Sequence, residues 1–273
     1  MVPLVISYPS IDPVALQIGP LAIKWYGLAY VAGLLLGWQY MKRLVSDGRL
    51  WRDGKPPFAA TLVDDLFIWV AVGVVLGGRL GHVLLYEPAY FLSHPLEIAK
   101  IWNGGMAFHG GMLGTILAMW LFAWRNAITP LIVMDVVAAS VPFGLFFGRV
   151  ANFINAEVVG RETNVPWAMV FPGWGPEPRH PSQLYEAALE GVALFLLLRW
   201  LTHRRHALAT PGVVGGTFLA GYAVFRIACE FVKHEEYRGL LGDGLLTMGM
   251  LYSLPMIVAG LWLIVRGRTR AFA

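Results

Sequence analysis

LFIWVAVGVVLGGRLGHVLLY, residues 66–86, is an apolar run of 21 positions whose only full charge is Arg79. It shows no strict alternation of polar and apolar residues, and its length matches the roughly 20 residues a helix needs to cross the hydrocarbon core of a bilayer. Six further runs resemble it: Trp25 to Met41, Met106 to Trp124, Leu131 to Gly148, Leu184 to Leu201, Gly212 to Cys229 and Gly244 to Val265. The chain is 57% hydrophobic and 14% charged, against about 25% charged in an ordinary soluble domain. The reading is an all-α polytopic membrane protein of seven transmembrane helices, forming a single integral-membrane domain over 1–273. The fifth run is the weakest, interrupted by Glu186, Glu190 and Arg199, and the fourth carries Asp135 and Pro142.

Charge distribution gives an orientation, because Lys and Arg accumulate in cytoplasmic loops. With the N-terminus outside, twelve basic residues fall inside, from Lys42 to Arg270. Seven fall outside: Lys24, Lys100, Arg149, Arg161, Arg179, Lys233 and Arg238. Arg79 and Arg226 lie within spans. The first residues lack the basic start, compact apolar centre and small-residue cleavage site of a signal peptide, so the first span is expected to be retained. The basic balance calls for no nucleic-acid partner. The lone cysteine, Cys229, excludes an intramolecular disulfide and is expected to pack within the sixth helix.

The polar residues converge on the outer side. Tyr26 starts the first helix, His109 the third, and Arg149 ends the fourth; Arg226 lies near the outward end of the sixth, with Tyr222 one turn before it on the same face. Between helices four and five, an external loop over 149–183 opens with GRVANFINAEVVGR, residues 148–161, and continues through Pro-rich, aromatic sequence. Arginines near membrane depth cost a few kcal/mol and face a partner or a cavity. The bland account is an internal ion pair between Arg226 and Glu230, four residues on, or snorkelling by Arg149. The sharper one is an anion held between two guanidinium forks, for which a phospholipid headgroup is the local candidate.

His109 is followed by Gly110 and Gly111, which leave room beside the imidazole for a ligand or serve close helix packing. Arg149, Asn152 and Asn155 recur every three residues and would form a fan if the helix continued. Glu157 reads as a carboxylate orienting Arg149 or Arg161. HEEYR at 234–238 lacks the second histidine of a zinc helix, and no nucleophile-elbow or phosphate-loop motif occurs. No metal or other cofactor is indicated.

The motifs WYG at 25–27, GGR at 77–79, FHGG at 108–111, GRVANFINAEVVGR, RHPSQLYE at 179–186, GYAVFR at 221–226 and SLPMIVAG at 253–260 together resemble the prolipoprotein diacylglyceryl transferase family of bacteria, over nearly the whole chain. One departure is Ala151, where the family pattern usually has glycine. The resemblance implies transfer of the diacylglyceryl group of phosphatidylglycerol to the lipobox cysteine of a prolipoprotein, giving a thioether and glycerol phosphate at the outer face of the inner membrane. It implies that Arg149, Asn152, Asn155, Glu157, Gly160 and Arg161 build the headgroup site and that Tyr26, His109, Tyr222 and Arg226 are its other functional positions. The chemistry asks for cations where phosphate charge grows, Arg149 and Arg226. It also asks for a base near the substrate thiol, with His109 the candidate; the runner-up is a neighbouring tyrosine or arginine that lowers the energy of the thiolate. A lipid transporter could use the same arginines; thioether formation separates the two classes.

A tag inserted near Gly173 should react with impermeant reagents in intact spheroplasts, and one near Lys55 should be protected; the reverse labelling would overturn the assigned orientation.

Overall fold

In a computed structural model the described residues are 6–9, 11–234, 240–241 and 246–271; Arg238 and all of HEEYR beyond His234 lie outside them. The chain is mostly helical and divides into two compact units. One takes the described residues up to Met41 and those from Asp135 onward, and the other is Lys42–Met134. In chain order the elements are β1 (Ile6–Ser7), β2 (Val14–Ile18), β3 (Leu21–Lys24), α1 (Trp25–Ser46), α2 (Leu62–Leu85), α3 (Pro88–Ser93), α4 (Phe108–Arg125) and α5 (Pro130–Ile154). There follow β4 (Met169–Val170), α6 (Ser182–Glu186), α7 (Leu194–Arg204), α8 (Val213–Glu230), β5 (Leu240–Leu241), β6 (Leu246–Thr247) and α9 (Met248–Ala271). A π turn, Ala187–Ala193, joins α6 to α7 without a break. Among the described residues four helices are both long and apolar enough to cross a membrane: α2, α5, α8 and α9 through Thr269.

In the second unit, α2 and α4 meet along glycines. A Cβ on Gly81 would sit 2.6 Å from the Cα of Gly110, and one on Gly114 would sit 2.8 Å from the Cα of Gly77. Small residues four apart on both helices let the backbones touch, as membrane helices do when lipid offers no hydrophobic drive to associate. Gly110 therefore serves packing. Arg79, 5% exposed, folds over the loop that follows α3. Its Nε donates to the Ile98 carbonyl at 2.9 Å, Nη1 to Gly104 at 2.6 Å and Nη2 to Glu97 at 2.6 Å. Its guanidinium donates to backbone carbonyls and, among the described residues, forms no salt bridge.

In the first unit, α8 and α9 make the same kind of seam, a Cβ on Gly216 falling 2.7 Å from the Gly260 carbonyl. Asp135 of α5, fully buried, explains its place in an apolar run. It accepts from the backbone N–H of Gly212 and of Gly215, both at 2.7 Å, and so satisfies orphan donors at the start of α8. At the other end of α5, the Tyr8 hydroxyl donates to the carbonyls of Phe153 and Ile154. β1 runs parallel to β4, with Ile6 beside Met169, and β2 and β3 form a hairpin that delivers the chain to Trp25. Cys229 is free and buried in α8.

Gly114→Ala should cost about 1–3 kcal/mol of stability, the usual penalty for overpacking. Gly111→Ala, whose Cβ would find its nearest neighbour at 3.5 Å, should be neutral or slightly stabilising. Thermal unfolding of both variants in detergent checks the contrast.

Candidate active site

The first unit contains a buried ion cluster built from three helical segments and the residues just after the last. Glu186 closes α6 and Glu190 sits one turn on, within the π turn. Both are fully buried, and Gly191 beside them lets the rod approach α5, where a Cβ would fall 2.7 Å from that of Phe146. Arg149 comes from α5, Arg226 and Glu230 from α8, and Lys233 from the chain just after it. A π turn inserts one extra residue per turn and is commonly found at functional sites. Here it keeps Glu186, Ala187, Glu190, Gly191 and Leu194 on the inward face.

Glu186 is the hub. One of its oxygens lies 2.7 Å from Arg226 Nη1 and 2.8 Å from Lys233 Nζ, and the other lies 3.0 Å from Arg149 Nε. Arg226 Nη2 reaches Glu230 at 2.9 Å, Lys233 reaches Glu230 at 3.7 Å, and Arg149 Nη2 reaches Glu190 at 3.6 Å. The two arginines expected to meet do meet, across a carboxylate of this chain. The ion pair between Arg226 and Glu230 also forms. Each arginine keeps about a fifth of its side chain exposed, 20% for Arg149 and 19% for Arg226, whereas the carboxylates do not. Burial pulls the Lys233 ammonium below its usual range, with Glu186 opposing that shift.

The signature loop hangs from the end of α5. The helix runs to Ile154, and Asn155 follows at once with its N–H still donating to the Ala151 carbonyl at 3.0 Å. Positive φ angles of 53° at Ala156 and Val158 turn the chain sharply, a strained conformation for residues with a Cβ. Hydrogen bonds from the start of α6 hold that turn, Gln183 Nε2 to the Glu157 carbonyl at 2.5 Å and Ser182 Oγ to that of Val158 at 2.8 Å. The Glu157 side chain accepts from Asn152 Nδ2 at 3.2 Å; the carboxylates that orient Arg149 are Glu186 and Glu190. Gly160 bridges to Lys233, with its N–H on the His180 carbonyl and a Cβ there falling 2.6 Å from both His180 and Val232. Only glycine fits. The N–H of Arg161 donates to Val232, which ties the loop to the end of α8. The imidazole of His180 is pushed below its ordinary pKa by burial and by the Arg161 charge.

Tyr26 opens α1 with its hydroxyl 3.2 Å from that of Tyr30, and Tyr222 stacks on Phe218 one turn before Arg226. A cavity of about 1000 Å³ lined by Tyr8, Asp12, Asn155, Phe171 and Pro172 opens beside the end of α5. His109 begins α4 in the second unit, exposed, its ring edge-on to that of Phe108. Glu186, Glu190 and Lys233 did not stand out in the sequence as site residues. Two carboxylates four apart inside an apolar run were the signal, since an intramembrane acid points to a buried partner.

The prolipoprotein diacylglyceryl transferase family model matches residues 13–266. A phosphatidylglycerol–prolipoprotein diacylglyceryl transferase of Rhizobium meliloti is 54% identical over 98% of this chain and 96% of its own length. The protein of the same name from Phenylobacterium zucineum is 54% identical over 95% and 94%, and that of Rhizobium leguminosarum bv. trifolii 53% over 98% and 95%. On both grounds the chain belongs to the prolipoprotein diacylglyceryl transferase family.

Proposed function

We propose that this protein transfers the diacylglyceryl group of phosphatidylglycerol to the cysteine thiol of a prolipoprotein lipobox, at the outer face of a bacterial inner membrane. The observation that carries this reading is the meeting of Arg149 and Arg226 at one buried carboxylate, in a chain whose relatives carry that activity in their names. Seven spans accommodate it: to the four apolar helices are added α1, α4 and the α6–α7 rod. The first two are 22 and 18 residues long. The N-terminus and the loop over 149–183 then lie outside and the C-terminus inside.

The reaction forms a sulfur–carbon bond at the glycerol carbon that carries phosphate and breaks the carbon–oxygen bond there. Glycerol phosphate departs with the electron pair, and the thiol proton goes to His109. Charge grows on the departing phosphate, and preorganised guanidinium groups stabilise it without reorganising at the moment of reaction. The ion cluster supplies the preorganisation: Glu186 holds both guanidinium groups, with Glu230 on the second Nη of Arg226, and the part of each side chain that stays exposed is left for the phosphodiester. Tyr26, Asn152, Asn155, Glu157, Arg161 and Tyr222 position the headgroup, with Gly160 shaping the loop that holds them. Phosphatidylglycerol and the prolipoprotein signal peptide are the partners, in a membrane and without nucleic acid.

Lysine cannot reproduce a planar fork that engages two partners at once. Arg149→Lys and Arg226→Lys should insert and fold yet lose most transfer of diacylglycerol to a lipobox peptide; near-normal turnover in both would reduce the arginines to structural ions. His109→Gln should slow thioether formation by ~10²-fold or more while leaving lipid binding intact. Rising pH should restore part of that loss, because more of the substrate thiol is then ionised without help. Turnover from pH 6 to 9, measured beside lipid affinity, reads both effects.

A further inference from the structure

Five carbonyls between Phe153 and Val158 are held by side chains from elsewhere in the chain. The Tyr8 hydroxyl, just after β1, donates to Phe153 at 2.7 Å and to Ile154 at 2.8 Å. Trp174 Nε1, beyond β4, donates to Ala156 at 2.9 Å. Gln183 Nε2 and Ser182 Oγ, at the start of α6, donate to Glu157 at 2.5 Å and to Val158 at 2.8 Å. The last carbonyls of a helix need partners, and the tyrosine supplies them. The other three bonds fall on the turn, where Ala156 and Val158 are left-handed. That conformation is strained, most of all for a β-branched residue, and lasts only where the surroundings over-determine it.

Glu157 lies between the two strained residues, and Gln183 grips its main chain. Its carboxylate accepts from Asn152 Nδ2 at 3.2 Å, so a line of contacts runs from Gln183 through Glu157 to the Asn152 amide. Gln183 itself is 0% exposed and meets no substrate. We propose that Gln183 is a positioning residue for headgroup recognition: by holding the Glu157 carbonyl it keeps the strained turn preset, so that Asn152, Asn155 and Glu157 receive the glycerol phosphate of the lipid without rearranging. The proposal rests on the headgroup reading above and adds the residue that keeps its loop in place. Without the amide the turn relaxes toward ordinary backbone angles, and Glu157 and Asn152 lose their alignment. The lipid must then draw the loop back, and its apparent affinity falls in proportion to the fraction of molecules still preset. Bound lipid restores the geometry, so turnover at saturation survives.

The test measures thioether formation by the full-length protein in mixed micelles, with the phosphatidylglycerol mole fraction varied and a lipobox peptide in excess. Gln183→Met keeps the side-chain length and removes the donor. It should raise KM for phosphatidylglycerol about tenfold, the scale of one hydrogen bond lost. Its kcat should stay within about twofold of wild type, because saturating lipid repopulates the preset turn. Should methionine compromise folding, Ser182→Ala, which frees only the neighbouring Val158 carbonyl, carries the same expectation. Val158→Gly supplies the second arm, since glycine takes a left-handed φ at no steric cost. In that background Gln183→Met should raise KM by less than about threefold, the non-additivity of two changes acting on one turn. A KM rise equal in both backgrounds overturns the proposal, because Gln183 would then act on the lipid by another route. A fall in kcat with KM unchanged also overturns it, as expected of a residue that only keeps the protein folded, and so does a variant with both constants unaltered. In each of these cases wild-type turnover still responds to phosphatidylglycerol and the headgroup reading stands. If wild-type turnover does not respond to that lipid, the headgroup reading fails and takes this proposal with it.

Discussion

The site and the helices around it depend on one carboxylate. Glu186 gathers Arg149 from α5, Arg226 from α8 and Lys233 from beyond α8, and cations so far buried would be costly without it. Ion pairs buried in a low-dielectric interior do little for net stability, but breaking one by removing a single partner costs roughly 3–5 kcal/mol. With three partners on different elements, the constraint is geometric as much as energetic. α5, the α6–α7 rod and α8 cannot shift independently while the cluster is intact. The π turn and Gly191 make this possible by bringing Glu186 and Glu190 to the inner face with the rod against Phe146.

Arg79 shows that an intramembrane arginine does not by itself make a site. Its guanidinium is spent on the carbonyls of Glu97, Ile98 and Gly104, which shape a loop and leave no edge for a ligand. Arg149 and Arg226 are held by carboxylates and keep an exposed side. The difference lies in where the donors go, which composition and depth do not reveal.

The helical fold was legible because length and apolar content decide it. Arg149 and Arg226 were legible because a charge in such a run needs a reason. Their bridge was not: Glu186 and Glu190 looked like weaknesses in the fifth run, and Lys233 like an outer-loop charge, since pairing between residues 37 to 47 positions apart is a tertiary fact. The regular spacing of Arg149, Asn152 and Asn155 reaches the end of α5, where the Asn155 N–H still bonds the Ala151 carbonyl, and the chain then turns through left-handed Ala156 and Val158, which spacing alone does not foretell. Glu157 was assigned to an arginine and bonds Asn152 instead. Gly160 was read for its place in a motif, and the packing around it shows why no other residue fits.

Asp135 has a consequence for biogenesis. The first N–H groups of α8 are satisfied by a side chain 77 positions earlier, on a helix the ribosome has long since finished. When α8 is made, its first N–H groups lack this carboxylate, and the cap forms only once α5 is in place. Synthesis order thus becomes a folding instruction: the early helix is a template against which the late one is accepted, and a chain whose α5 inserted wrongly would leave α8 exposed to membrane quality control.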